Sequence, residues 1–312
     1  MDRVIVTGGA GFIGSHIVEE LLRENYKVMV IDNFSTGHRH HLEQLPIDVY
    51  TFDITNPDVM DLIISLHPDY IIHEAAQISV ANSVKDILND ENVNVKGSLH
   101  VIKAAIKANV KKVVFASSAA VYGNPITLPV SVDHPTRPES PYGLTKLTVE
   151  HYLKMAYKFY GLSYGILRYS NVYGPRQDAK GEGGVVAIFS ECMRNGKAPT
   201  IFGDGKQTRD FIFVRDVASA NVKALKVDKN ISVNISSGYS ITINQLFETM
   251  KKAANSQLSV HYADARQGDI RDSLLSNEET KRLLGWTPCM DLFQGLRETI
   301  YEPNQYKKLQ KL

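Results

Sequence analysis

The chain has 312 residues, 43% hydrophobic and 22% charged, which argues against disorder and gives length for about two folding units. Lys and Arg number 35 against 34 Asp and Glu, so bulk charge argues against binding nucleic acid or an anionic membrane, though not against a local basic pocket. The two cysteines, Cys192 and Cys289, make no disulfide framework, no His/Cys group has zinc spacing, and no apolar run approaches a membrane span. No basic and then apolar leader stands before Val4. A cytoplasmic, reduced protein without a metal is expected.

Short apolar runs at 4–7, 27–31, 49–52, 70–73, 112–116 and 164–168 alternate with helical patterns at 12–24, 57–66, 92–108 and 142–160. Several runs are apolar without alternation, as strands buried on both faces of a parallel sheet are. This rhythm predicts an α/β fold, a doubly wound parallel sheet of Rossmann type. After Arg168 the pattern changes. A loop over 171–184 leads to a helix at 185–194, strands at 200–202 and 211–214, and a helix at 217–225. A strand at 233–235, a helix at 244–254 and two short helices in the tail complete the reading. The expected division is a dinucleotide-binding domain over 1–170 and a smaller α/β substrate lobe over 171–312, with some segments returning to the core. The cleft between them is the default ligand site.

Gly8, Gly11 and Gly14 recur at every third position between the first strand and the first helix. They suit a tight turn, a close backbone approach to a pyrophosphate and tight helix–strand packing. The helix N-terminus would face the phosphates. Asp32 ends the second strand, where a carboxylate accepts ribose hydroxyls and repels a 2′-phosphate, and no arginine lies in 33–37. The cofactor expected is therefore NAD rather than NADP. Asp53, after the third strand, is placed for the adenine edge or serves as an ordinary loop carboxylate.

Tyr142 and Lys146 stand four apart on a helix and share a face. A free tyrosine titrates near ~10, so a proton-abstracting one needs that value lowered by up to ~3 pH units. A neighbouring ammonium and a cationic nicotinamide ring supply the right sign of field. Ser118 lies where the chain runs out of the strand at 112–116, at the carboxyl end where open α/β sheets bind ligands, and can relay a proton or bond a sugar hydroxyl.

Together these residues resemble the extended short-chain dehydrogenase/reductase family, with its nucleotide-sugar epimerases and dehydratases. The match runs from Thr7-Gly8-Gly9-Ala10-Gly11-Phe12-Ile13-Gly14 to Gly285-Trp286-Thr287-Pro288. Between them lie Asp32-Asn33, Asp53-Ile54, His73-Glu74-Ala75-Ala76-Gln77, Asn94-Val95-Lys96-Gly97, Ser117-Ser118, Ser140-Pro141-Tyr142 with Lys146, and Tyr169-Ser170-Asn171-Val172-Tyr173-Gly174-Pro175-Arg176.

The resemblance implies NAD-dependent 4-epimerisation of a UDP-hexose, UDP-glucose and UDP-galactose first, with Tyr142 as base, Lys146 holding the nicotinamide ribose and Ser118 bridging sugar and phenol. It implies that Phe12, Ile13, Asn33, Ser35, Thr36, Gly37, Ile54, Ala75, Ala76, Gln77, Asn94, Ser117 and Tyr169 also touch the cofactor. It places Asn171, Arg209 and Arg266 on the diphosphate, Val185, Thr200 and Phe202 around the uracil, and Asp269 on the uridine ribose. Related dehydratases and decarboxylases carry an acid where this chain has Ala119-Ala120, so those reactions are disfavoured. A UDP-glucuronate or UDP-pentose 4-epimerase stays open, as does a silent NAD-sensing scaffold.

In the family, an aromatic residue four positions after the Asp of Arg-x-Gly-Asp accompanies restriction to UDP-glucose and UDP-galactose. Here that position is Ser273, which implies room for an N-acetyl group, and Ser170, where the family often has Phe, implies a wider or more polar sugar pocket. A homodimer is implied too, through helices 92–108 and 142–160, with Leu99, Ile102, Ile106, Leu153 and Tyr157 as candidate contacts.

Overall fold

Strands that are apolar on both faces need cover on both sides, and alternate residues of the central strands feed two separate cores. Val4 and Val6 pack on one side of the sheet, while Ile5, Met29 and Ile31 pack on the other. The computed structural model describes residues 1–179, 184–265 and 270–309. In chain order it has β1 (Arg3–Thr7), α1 (Phe12–Arg23), β2 (Lys27–Asp32), β3 (Asp48–Thr51), α2 (Val59–Ser65) and β4 (Tyr70–His73). Then come α3 (Val80–Lys85), α4 (Ile87–Glu91), a π-helical stretch (Asn92–Gly97), α5 (Ser98–Lys107), β5 (Lys112–Ser118), α6 (Pro141–Tyr160) and β6 (Ser163–Tyr169). The remainder is β7 (Asn171–Tyr173), α7 (Val185–Arg194), β8 (Thr200–Phe202), β9 (Thr208–Arg209), β10 (Phe211–Phe213) and α8 (Val214–Leu225). It continues through β11 (Ile231–Ile235), β12 (Ile241–Thr242), α9 (Ile243–Ala253), β13 (His261–Ala263), α10 (Glu278–Leu284) and α11 (Leu292–Leu309).

The main sheet has seven strands in the order β11-β6-β5-β4-β1-β2-β3. Every pairing in it is parallel. Strand order reverses between β1 and β4, the switch point where a crevice opens beyond the strands' carboxyl ends. Helices α1 and α8 cover one face, and α2, α5 and α6 cover the other. Strand β11 pairs with β6 in register Ile231↔Gly165 to Ile235↔Tyr169, so the late part of the chain completes the early sheet. A third apolar cluster, built on Phe189, Phe213, Phe247 and Leu296, joins α7, α9 and α11.

Several boundaries depart from the sequence reading. The region 80–91 forms two helices, each started by a side-chain cap: Ser79 accepts from Asn82 N at 2.8 Å and Asp86 from Asn89 N at 3.0 Å. Both are short, and their apolar residues Val84, Ile87 and Leu88 are 60–80% exposed, so no core-facing period marks them. The expected helix at 92–108 begins as a π-helix. The last helix spans 18 residues rather than being short. Of the expected dimer contacts, Ile102 and Leu153 turn into the core under the sheet, while Tyr157 is exposed.

Candidate active site

The glycine loop is fixed by backbone contact. A Cβ on Gly14 would stand 2.2 Å from Gly8 O, and one on Gly8 would stand 2.7 Å from Ala75 N. No side chain caps α1, whose N-cap is Gly11. Asp32 is buried, and each of its oxygens holds one backbone N–H, from Ala10 at 2.9 Å and from Phe34 at 2.8 Å. Each oxygen keeps a lone pair for a hydroxyl. Ser35, Thr36 and Gly37 form the turn that follows, with Ser35 N on Asn33 Oδ1 at 3.0 Å. The Arg39 guanidinium lies over the Phe34 ring at 4.0 Å and donates to Thr51. Glycines that admit no Cβ, an uncapped helix start and a buried carboxylate at the strand end fit the adenosine diphosphate half of NAD.

Asp53 accepts from Asn33 Nδ2 and from the Thr55 backbone and hydroxyl. Partial burial pushes this carboxyl up, but those hydrogen bonds prevail and hold it below its ordinary value. The Ile54 side chain lies in the core against Gly97. Ala75, Ala76 and Gln77 form the loop after β4. Gln77 and Asn94 bond each other through N–H and carbonyl groups at 2.8 and 2.9 Å, and both donate to the fully buried Asp90. Thr145 on α6 donates to the other Asp90 oxygen at 3.2 Å. Gln77 and Asn94 thus direct side-chain amides inward to Asp90.

Helix α6 starts at a Ser140 cap and comes close to the end of β5 because Gly143 has no side chain; a Cβ there would meet Ala120 O at 2.6 Å. That approach sets Tyr142, half-buried, and Lys146, 4% exposed, over the sheet's carboxyl edge. Lys146 Nζ donates to Ala116 O at 2.9 Å and lies 5.1 Å from the Phe115 ring centre and 5.8 Å from that of Tyr142. Burial pushes the lysine down to about 8, while the carboxylates of Glu74 and Asp90 pull it back up. Ser118 sits opposite Tyr169 across the β5–β6 pairing, and its Oγ accepts from Ala120 N at 3.2 Å.

The Ser117 side chain points to the other face of the sheet. Its hydroxyl donates to Glu150 at 2.6 Å, and Glu150 is paired in the core with Arg168. Arg168 in turn donates to Tyr122 OH and Val132 O. Tyr169 directs its phenol to Glu74 at 2.7 Å and receives Asn221 Nδ2 at 2.8 Å. Burial raises this phenol well above its ordinary value.

On the lobe side, the chain at 208–211 runs between two expected substrate segments. Asn171 N and Nδ2 donate to Asp210 O at 3.0 and 3.2 Å, and Ser273 N donates to Thr208 O at 3.2 Å. This brings Asn171, Arg209 and Ser273 into one neighbourhood. Asp210, absent from the sequence reading, is its hub: it accepts from Ser237, Leu275 and Ser170, and burial pushes it up to about 6. The Ser170 hydroxyl is one of the donors to Asp210. Val185 begins α7 at the third apolar cluster. Thr200 and Phe202 end the two-stranded pairing of β8 with β13, and Gln207 holds Phe202 O at 2.9 Å. Arg266 and Asp269 lie outside the described residues.

Sequence reasoning also missed His73. It is buried between Thr7 Oγ1 at 2.7 Å and Ser98 Oγ at 2.8 Å and pins β1, β4 and α5 together. Among the described residues no group of His, Cys, Asp and Glu is arranged to hold a metal ion, and no helix is long and apolar enough to cross a membrane.

Fold and site define a dinucleotide-binding α/β protein whose crevice holds a tyrosine, a buried lysine and a strand-end serine. The chain belongs to the NAD dependent epimerase/dehydratase family, whose model matches residues 4–236. It is 40% identical over 304 residues to the UDP-glucose 4-epimerase of Mycolicibacterium smegmatis, covering 96% of this chain and 97% of the relative. The UDP-glucose 4-epimerase of Thermotoga maritima, solved with UDP-glucose, superposes with a TM-score of 0.94 at 41% identity, over 98% of this chain and 99% of that one. A UDP-N-acetylglucosamine 4-epimerase from Methanobrevibacter ruminantium, in complex with UDP-N-acetylmuramic acid, gives 0.93 at 38% identity, over 97% and 99%.

The buried histidines set a pH limit. Burial first, then Arg176, lowers His16 from 6.5 to about 3, and burial first, then Lys146, lowers His73 from 6.5 to about 3. Each therefore binds a proton only on unfolding anywhere between those values, so its contribution is full above 6.5 and lost as pH falls. Urea unfolding should show stability dropping below pH 6.5 by up to ~1.4 kcal/mol per pH unit for each group. His73→Gln should flatten that slope by one proton's share, and an unchanged slope would contradict the assignment.

Proposed function

We propose that the chain is a NAD-dependent UDP-sugar 4-epimerase that interconverts UDP-glucose and UDP-galactose and also accepts their N-acetyl counterparts. The carrying observation is Lys146, buried at the carboxyl edge of the sheet one helical turn from Tyr142, beside the Ser118 strand end. Similarity to UDP-glucose 4-epimerases over nearly the whole chain supports the same reading.

When bound, NAD supplies the acceptor that takes hydride from sugar C4 and returns it to the opposite face. The chain's own groups manage the proton and the orientation. Tyr142 withdraws the proton of the 4-hydroxyl and later restores it. Lys146 holds the nicotinamide ribose and, as a cation beside the phenol, favours its ionised form. Ser118 bridges the sugar oxygen and Tyr142. Asp32 and Asp53 hold the adenosine end, and residues 1–170 supply most of this half. Asn171, Arg209 and Arg266 take the diphosphate, since guanidinium groups make paired, charge-assisted bonds to phosphate oxygens. Val185, Thr200 and Phe202 frame the uracil, and Asp269 takes its ribose. The methyl groups of Ala119 and Ala120 offer no acid for eliminating water, which favours epimerisation over dehydration. The free thiols of Cys192 and Cys289 suit a reducing, cytoplasmic setting.

A homodimer is part of this reading. Val84, Ile87 and Leu88 on α3 and α4, and Leu144, Met155 and Phe159 on α6, are all more than 45% exposed on helices that pack side by side. Such a patch suits a two-fold interface.

Incubating the protein with UDP-glucose, UDP-galactose, their N-acetyl forms and UDP-glucuronate, with chromatographic resolution, tests the function. The glucose and galactose forms should interconvert, and the denatured protein should release NAD rather than NADP. Tyr142→Phe should lower turnover by ~10²–10⁴-fold; a variant within twofold of wild type would point to another base. Ser273→Tyr should lower the ratio of kcat/KM for the N-acetyl pair to that for the plain pair, since overfilling a packed wall costs ~1–3 kcal/mol. An unchanged ratio would remove Ser273 as the gate. Light scattering at micromolar concentration should give twice the mass of one chain, and Leu88→Glu combined with Phe159→Glu should give the single-chain mass. A monomeric wild type would refute the interface.

A further inference from the structure

The chemistry above gives no task to Asp210, a fully buried carboxylate between β9 and β10. Its Oδ1 accepts from Ser237 N at 3.0 Å, Ser237 Oγ at 2.7 Å and Ser170 Oγ at 3.3 Å. Its Oδ2 accepts from Leu275 N at 3.2 Å. These partners come from three stretches distant in the chain: the junction of β6 and β7, the turn after β11, and the segment 271–276. Each oxygen holds a backbone N–H, so an amide nitrogen in place of either one would face a donor with a donor. A carboxylate is what this position requires.

The segment 271–276, which carries Ser273, is laced on both sides. Toward β9, Thr208 N donates to Arg271 O at 3.0 Å, Ser273 N donates to Thr208 O at 3.2 Å, and Thr208 Oγ1 donates to Asp272 Oδ1 at 2.7 Å. Toward the connection from β5 to α6, Val130 N donates to Leu274 O at 2.8 Å and Ser276 N donates to Val130 O at 2.9 Å. Leu275 N, within that stretch, is the group turned onto Asp210. The main chain of Asp210 serves a different partner. Its carbonyl accepts Asn171 N at 3.0 Å and Asn171 Nδ2 at 3.2 Å, which leaves the second amide hydrogen of Asn171 for a phosphate oxygen. Beside it, Arg209 NH1 donates to Thr208 O at 2.8 Å and to Arg271 O at 3.5 Å.

We propose that Asp210 is a positioning residue for the substrate: its carbonyl sets Asn171, its carboxylate sets the segment that carries Ser273, and the diphosphate ligands and the gate are thereby held as one body. Donors that are already in place when the nucleotide arrives need no ordering at that moment, which is what makes such a scaffold matter for affinity. Loosening it leaves Asn171 and Arg209 to be ordered by the ligand itself.

The role rests on the UDP-sugar reading, whereas nucleotide affinity measures it without turnover. Asp210→Asn keeps the shape of the side chain and sets a donor among donors. Calorimetric titration with UDP should give a Kd about tenfold above that of the wild type. With UDP-glucose, KM should rise by a similar factor while kcat stays within about threefold, because Tyr142, Lys146 and Ser118 stand on α6 and β5. The NAD released on denaturation should equal that of the wild type. A merely structural Asp210 would lower the melting temperature in this variant and leave the Kd of the folded protein unchanged.

Thr208→Val removes only the hydroxyl bond to Asp272, one of the ties between the gate segment and the residue next to Arg209. It should raise Kd and KM in the same direction by about two- to threefold. It carries the test if near-UV circular dichroism shows Asp210→Asn unfolded. A wild-type Kd for UDP in every folded variant overturns the proposal and leaves the epimerase reading standing. A raised Kd in a protein that does not interconvert UDP-glucose and UDP-galactose supports the proposal and overturns that reading instead. A wild-type protein that binds no UDP overturns both.

Discussion

An ammonium group almost out of contact with water is the constraint on which the rest of the crevice depends. An isolated ion in that position is strongly destabilising unless it is bonded and paired. Lys146 meets the requirement with the Ala116 carbonyl and two aromatic faces, and the negative charges of Glu74 and Asp90 favour its ammonium form. Each partner imposes its own geometry. The carbonyl demands that α6 lie close to the end of β5, which requires the bare Gly143 against Ala120. Further along α6, the Glu150–Arg168 pair locks the same helix to β6 and draws Ser117 with it. The catalytic edge is therefore assembled from below as well as from the crevice.

Much of this was legible in the sequence, and the rest was hidden for physical reasons. The glycine loop, Asp32, Tyr142 and Lys146 are local signals, since the spacing that suits the chemistry is also spacing along the chain. Strand alternation separates Ser117 from Ser118: neighbouring side chains of a strand face opposite ways, so the two hydroxyls lie on different faces of the sheet. The burial of Ile54 follows from Gly97, whose missing side chain makes room for it. Glu74 carried a signal as well, a charge placed immediately after an apolar parallel strand. Asp90 and Asp210 carried none. Their partners lie in elements that come together only in three dimensions, with Asp90 reaching Thr145 and Asp210 reaching Ser237 and Leu275. The helices at 80–91 escaped because their apolar residues face outward, which breaks the link between period and core that sequence reading relies on.

The late position of β11 has a consequence for how the molecule is made. The sheet's outermost pairing joins β6 to a strand that is synthesised only after β7 to β10 and α8. Until Ile235 has left the ribosome, β6 presents a bare row of backbone donors and acceptors and the apolar face awaiting α8 is uncovered. The nascent chain must therefore carry an open, adhesive edge through much of its synthesis, a state that invites chaperone binding. A fragment ending at residue 170 would lack both β11 and α8, leaving β6 as the sheet's edge and the apolar face beneath α8 exposed.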